Sequence, residues 1–158
     1  MTADAQPPAT SRVFLDKADP AVFRALNGVG LKVKEAAEAA GIGNELSELI
    51  KIRVSQINGC AYCLDLHTQD AVAEGVSPRQ LAVLHAWRDT DLFSPQERAA
   101  LAVAESTTLL PGTERLDEEH EKAREVLNDA EFSAVNWIAI TIGAFNRISI
   151  VSRHPVKE

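Results

Sequence analysis

Apolar residues recur along most of this chain at intervals of three and four, the spacing that gathers them on one face of an α-helix. The pattern is plainest from Asn44 to Ile57, where Leu46, Leu49, Ile50, Ile52, Val54 and Ile57 form one stripe. No stretch of useful length alternates apolar and polar residues as a half-buried strand does. The pattern predicts an all-α chain of seven helices in a single domain. The first follows Asp19-Pro20 and runs to the neighbourhood of Ala40, with Gly28 and Gly30 as points of weakness and Gly41-Ile42-Gly43 as its end. The second is the striped segment, closed by a turn at Asn58-Gly59, and the third runs from Cys60 to Glu74. Ser77-Pro78-Arg79-Gln80 and Ser94-Pro95-Gln96-Glu97 each put Ser at an N-cap, Pro at the first helical position and Gln or Glu two residues later, which is a capping box. They open the fourth helix, to about Arg88, and the fifth, through Thr108. Pro111-Gly112 breaks the chain before a sixth, acidic helix from Asp117 to Leu127. Asn128-Asp129-Ala130-Glu131 opens a seventh, which reaches Val151.

The seventh segment carries Phe132, Val135, Trp137, Ile138, Ile140, Ile142, Phe145, Ile148, Ile150 and Val151 around nearly its whole circumference. A helix apolar all round requires cover on both sides, so a homo-oligomer is expected. Its longest apolar run, Ala134 to Phe145, is interrupted by Asn136 and Thr141 and falls short of the roughly 20 residues of a membrane span. Residues 1–12 are polar and contain proline, and are expected to form a disordered tail ahead of a domain at 13–158. They hold no apolar signal core, so a cytoplasmic location is expected. At 158 residues the chain can bury a sizeable core without disulfides. Its net charge of −7, with no basic cluster, makes nucleic acid and anionic membrane poor partners.

The only two cysteines, Cys60 and Cys63, stand three apart, too close to clamp a fold. They fall at the N-terminal edge of the third helix, where free N–H groups and the helix dipole favour a thiolate. His67 is four residues beyond Cys63, on the same helical face, and can take the thiol proton. Glu48 and His67 lie symmetrically about the turn at Ile57-Asn58-Gly59. If the two helices fold back antiparallel, a carboxylate faces the imidazole. The result is a Cys–His–Glu relay with Cys60 close enough to close a disulfide. A c-type haem site is excluded because Leu64, not His, follows Cys63. A thioredoxin-type site expects a strand before the helix, and a helix stands there. Zinc competes, since the two cysteines with His67 and Glu48 supply four ligands. The lack of a second closely spaced ligand pair weighs toward redox chemistry, and spacing leaves both open.

The segment from Glu48 to His67, with its E-x11-C-x2-C-x3-H spacing, resembles the core motif of the AhpD-like alkylhydroperoxidases, within the carboxymuconolactone decarboxylase superfamily. A looser likeness extends from Phe23 to Asn146-Arg147. The resemblance implies a compact helical AhpD-like fold, trimers or hexamers, and thiol-dependent reduction of organic hydroperoxides or hydrogen peroxide without metal or organic cofactor. It also implies roles: Cys63 attacks the peroxide, Cys60 resolves the sulfenic acid, and Glu48 and His67 form the proton relay. The best-known branch has His between its cysteines where this chain has Tyr62, which leaves the dithiol or protein reductant unspecified. The decarboxylase branch generally lacks the cysteine pair. A zinc-stabilised interaction module and a thiol–disulfide exchanger are the competing functions.

The remaining candidates have plainer explanations. His85 reads as an edge histidine, His120 as part of a solvated acidic helix start, and His154 as a tail residue. Trp87 and Trp137 read as core or interface residues, Tyr62 as pocket or packing, and Asn146-Arg147 as a cap or pairing element.

Overall fold

The computed structural model describes residues 12–156. They form eight α-helices and no strand among the described residues: α1 (Leu15–Ala18), α2 (Pro20–Ala39), α3 (Asn44–Asn58), α4 (Ala61–Ala73), α5 (Pro78–Val83), α6 (Pro95–Leu109), α7 (Thr113–Arg124) and α8 (Asp129–Ser152). A 3-10 segment, Leu84–Asp89, follows α5 directly. Three helices start as capping boxes, with Ser77, Ser94 and Asn128 each accepting the N–H three residues on while Gln80, Glu97 and Glu131 reach back.

The apolar stripes meet in two clusters. Ala37, Leu46, Ile50, Val54, Val103, Val135, Ile138 and Ile142 join α2, α3, α6 and α8, with Ala123 of α7 against them. Leu49, Ile52, Ala71, Leu84, Trp87 and Leu101 join α3, α4, the 3-10 segment and α6. Helix α3 contributes to both clusters, so it is the wall between them and its position is fixed from two sides. Polar contacts hold the second cluster. The Glu105 carboxylate, 8% exposed, accepts from Trp87 Nε1 at 2.9 Å and Arg53 Nε at 2.7 Å, and pairs with Arg88.

The structure departs from the sequence pattern in four places. Helix α1 is too short to show a period. The fourth segment is α-helical only to Val83, and then tightens with a kink at Ala86. Helix α7 starts at Thr113 because Gly112, at φ 105°, takes the N-cap, and it ends at Arg124 with Leu127 tucked into the core beyond it. Gly28 and Gly30 leave α2 unbroken; Gly30 lies under the ring of Phe145. Of the expected tail, only Arg12 is among the described residues, and its guanidinium donates to the Val151 carbonyl at 3.0 Å.

By length and composition α8 passes as a membrane span, but half of its apolar window is buried inside the chain. Asn146, Ser149 and Ser152 are buried on it as well. The all-round cover expected of α8 is not supplied by the described residues, among which Trp137, Ile140 and Val151 stay about half exposed.

Burial by itself pushes the Glu105 carboxyl up, but bonds from Trp87, Arg88 and Arg53 hold it below its ordinary value. Its stabilisation is therefore full above the ordinary carboxyl pKa and is lost as pH falls through the lowered one. Glu105→Ala should cost about 3–5 kcal/mol at neutral pH, because two guanidinium groups lose a buried partner. Urea denaturation should show the gap to wild type narrowing as pH falls.

Candidate active site

The site is made where the chain reverses between α3 and α4. Gly59 adopts the left-handed conformation (φ 72°), which a side chain would strain. Its N–H and that of Cys60 both reach back to the Ser55 carbonyl, at 2.9 and 3.1 Å. Asn146 of α8 is fully buried, accepts from Asn58 Nδ2 at 3.0 Å and donates to Ser55 Oγ at 2.9 Å. The last turn of α3 is thereby tied to the central helix.

Cys60 leaves this turn as the N-cap of α4, and Cys63 is in the first helical turn. The Cys63 N–H donates to Cys60 Sγ at 3.3 Å, as it would to a capping serine. The two sulfurs are joined in a disulfide across a Cα separation of 5.3 Å. Both are sealed from solvent, at 1% and 3% exposure.

One turn past Cys63, His67 meets α3. Its Nδ1 is 2.8 Å from Glu48 Oε2, while Lys51 Nζ donates to Glu48 Oε1 at 2.6 Å. Desolvation raises the Glu48 pKa, but hydrogen bonds from His67 and Lys51 and the Lys51 charge outweigh it and leave the carboxyl below its ordinary value. Glu48 is therefore an anion at neutral pH, although only 7% exposed. An anionic Glu48 takes the Nδ1–H of a neutral imidazole, which leaves the Nε2 lone pair as the base. Asp70 lies on the same side, its Oδ2 3.8 Å from His67 Nδ1.

Glu48, Lys51, His67 and Asp70 form one wall of a cavity of about 560 Å³, whose other walls include Leu31, Ile138, Ile142 and Phe145. Cys60 and Cys63 are not on its lining. The relay thus opens onto a cavity that the sulfurs do not line.

The fold therefore brings Glu48 and His67 together across the turn and closes Cys60 onto Cys63. Tyr62, between the cysteines, packs edge-on against His154 with ring centroids 5.5 Å apart. His154 is not a loose tail residue. It stacks on Phe14 at 5.6 Å, pairs with Asp16 at 2.9 Å and contacts Ser149 Oγ at 3.2 Å. Segments from near both ends of the described residues, at Phe14-Leu15-Asp16 and His154, thus meet beside the cysteine loop. His85 and His120 are exposed; His120 lies against Phe132. Trp87 is core and Trp137 half exposed. Sequence reasoning missed Lys51, Asp70 and the anchoring role of Asn146. The first two had a signal, since each stands three residues beyond a site residue on the same helical face. Asn146 had none, because its partners are about ninety positions away.

The fold and site define an all-helical protein with a CxxC cysteine pair beside a carboxylate–imidazole pair. Residues 20–106 match the carboxymuconolactone decarboxylase family, and the chain belongs to it. It is 39% identical over 120 residues to the uncharacterized protein YdfG of Bacillus subtilis, covering 76% of this chain and 82% of that one. It is 42% identical over 67 residues to the uncharacterized protein YnjA of Escherichia coli, covering 41% of this chain and 36% of that one. A crystal structure from Agrobacterium tumefaciens, of a protein of unknown function provisionally assigned as the antioxidant defence protein AhpD, superposes with a TM-score of 0.81 at 30% identity. The match covers 92% of this chain and 99% of that one. The AhpD-like fold expected from the motif is the fold found.

Asn146→Leu should leave Ser55 Oγ and the Asn58 amide without partners inside the protein. The expected cost is about 1–3 kcal/mol, read from the urea midpoint. A midpoint equal to wild type would mean that these bonds add no net stability.

Proposed function

We propose that the protein is a thiol peroxidase that reduces organic hydroperoxides or hydrogen peroxide through the Cys60–Cys63 pair. The observation that carries this reading is the 2.8 Å contact of Glu48 with His67, on the face that His67 shares with Cys63. In the reduced protein His67 Nε2 takes the Cys63 proton, and Glu48 stabilises the imidazolium. The thiolate attacks the outer peroxide oxygen, the O–O bond breaks, and the departing alkoxide or hydroxide takes the proton from His67. Cys63 is left as a sulfenic acid. The Cys60 sulfur attacks it, water leaves and the disulfide forms.

A dithiol or protein reductant then attacks Cys63 and expels Cys60. The Cys63 N–H already directed at Cys60 Sγ stabilises the departing thiolate, and a better leaving group speeds exchange. A cycle that needs constant re-reduction suits the reducing cytoplasm. The exposed Trp137, Ile140 and Val151 of α8 support a homo-oligomer, a trimer or hexamer by the family likeness.

With a dithiol donor in excess, Cys63→Ser should abolish peroxide consumption. Glu48→Gln should slow it by a sizeable part of the 10²–10⁴ that general acid–base assistance supplies, with both thiols still titratable. His67→Ala should cost at least as much, and the double variant little more, since the two act as a unit. Full activity of Glu48→Gln across neutral pH would reduce Glu48 to an ordinary helix residue. Light scattering should give a multiple of 17.1 kDa at micromolar concentration; the monomer mass would overturn the oligomer.

A further inference from the structure

We propose that Glu48, His67 and Asp70 form a binding site for a divalent transition-metal cation, zinc above all, and that its occupation switches the proton relay off. Glu48, His67 and Asp70 each offer one ligand atom, the three atoms lie within 4.8 Å of one another, and two helices contribute them. Tetrahedral zinc with bonds of about 2.0–2.1 Å holds its donors about 3.3 Å apart. The two distances from His67 Nδ1, 2.8 Å to Glu48 and 3.8 Å to Asp70, straddle that value. A shift of roughly half an ångström in each brings both carboxylates to that spacing from the histidine. The Asp70 side chain is about half exposed and can make that adjustment.

Beyond the donors themselves, the cavity beside them is lined by two carboxylates, Glu38 and Glu74, and two ammonium groups, Lys34 and Lys51, so the rest of the lining adds no net charge against a cation. The nearer ammonium, Lys51, holds Glu48 Oε1 and leaves Oε2 to the metal. The cavity gives an entry path and room for water at the fourth position. None of the donors is a sulfur, so the site persists when Cys60 and Cys63 are joined.

The effect on turnover rests on the relay proposed above. In the metal-free protein Glu48 accepts the Nδ1–H, and Nε2 is the base. A cation on Nδ1 moves that proton to Nε2, since a neutral imidazole ligated through one nitrogen carries its hydrogen on the other. Nε2 then has no lone pair for the Cys63 proton, and Glu48 is bound to the metal instead of orienting the ring.

The test uses the untagged protein, oxidised so that the disulfide is closed, titrated calorimetrically with zinc chloride. Cobalt chloride serves as the spectroscopic probe. One zinc should bind per chain, and cobalt should give visible bands of a nitrogen–oxygen set without sulfur charge transfer. Asp70→Asn should weaken binding at least ten-fold, whereas Asp16→Asn, at the other His–Asp pair, should not. Absence of zinc binding to the oxidised protein would overturn the site. So would wild-type affinity in Asp70→Asn, or binding confined to the reduced protein with a thiolate band. In the peroxide assay, zinc should inhibit wild type reversibly, with relief by a chelator, and inhibit Asp70→Asn less. A wild type that consumes no peroxide would sink the peroxidase and leave the calorimetry to decide the metal site.

Discussion

The reversal of the chain at Gly59 is the constraint on which the rest of the structure depends. A left-handed residue there ends α3, returns two N–H groups to Ser55 and starts α4 almost at once. Because the turn is so short, the register of the two helices is fixed. A register shift of a single residue would turn His67 about 100° away from Glu48. The carboxylate would then keep Lys51 but lose its imidazole, and a buried charge short of a hydrogen-bond partner is costly. The turn and the buried pair therefore enforce each other. Asn146, itself fully buried, extends the arrangement to α8, so the turn is held by a third helix besides α3 and α4.

Burial separates the chemistry into two sides. The sulfurs are sealed, with Cys60 held by the N-cap bond and Tyr62 packed against His154. The relay faces a roomy cavity that carries more negative than positive groups. His67 stands between the two, one turn beyond Cys63 on α4, with its Nδ1 on Glu48. In the proposed relay its other ring nitrogen serves the thiol, so whatever alters the tautomer of that ring would alter the reactivity of Cys63.

The second polar centre, around Glu105, has a different part. It joins α3, α6 and the 3-10 segment through Arg53, Trp87 and Arg88. It is remote from the cysteines along the chain and lies in the cluster that holds the far side of α3. Fixing α3 from that side, while α8 fixes it from the other, keeps the Glu48 backbone in place. A carboxylate that must meet an imidazole within hydrogen-bond distance benefits from such rigidity, because misplacement by a fraction of an ångström weakens the bond.

The sequence by itself determined the helices, for their periodicity, capping boxes and glycine stops are local and act within a few residues. It also determined the pairing of Glu48 with His67, because a short turn makes symmetric positions meet. The spacing of Cys60 and Cys63 put the two sulfurs within reach of each other in the same way. Only the tertiary structure decided what depends on distant segments. Asn146 supports a turn some ninety residues earlier, Glu105 gathers partners from three elements, and His154 returns from the chain's end to Tyr62. It likewise decided that Asp70 joins Glu48 and His67 on the cavity side, and that one face of α8 is left uncovered. Periodicity gives which face of a helix is apolar. What that face or its polar neighbours touch is set by how the helices cross, and no local pattern encodes that.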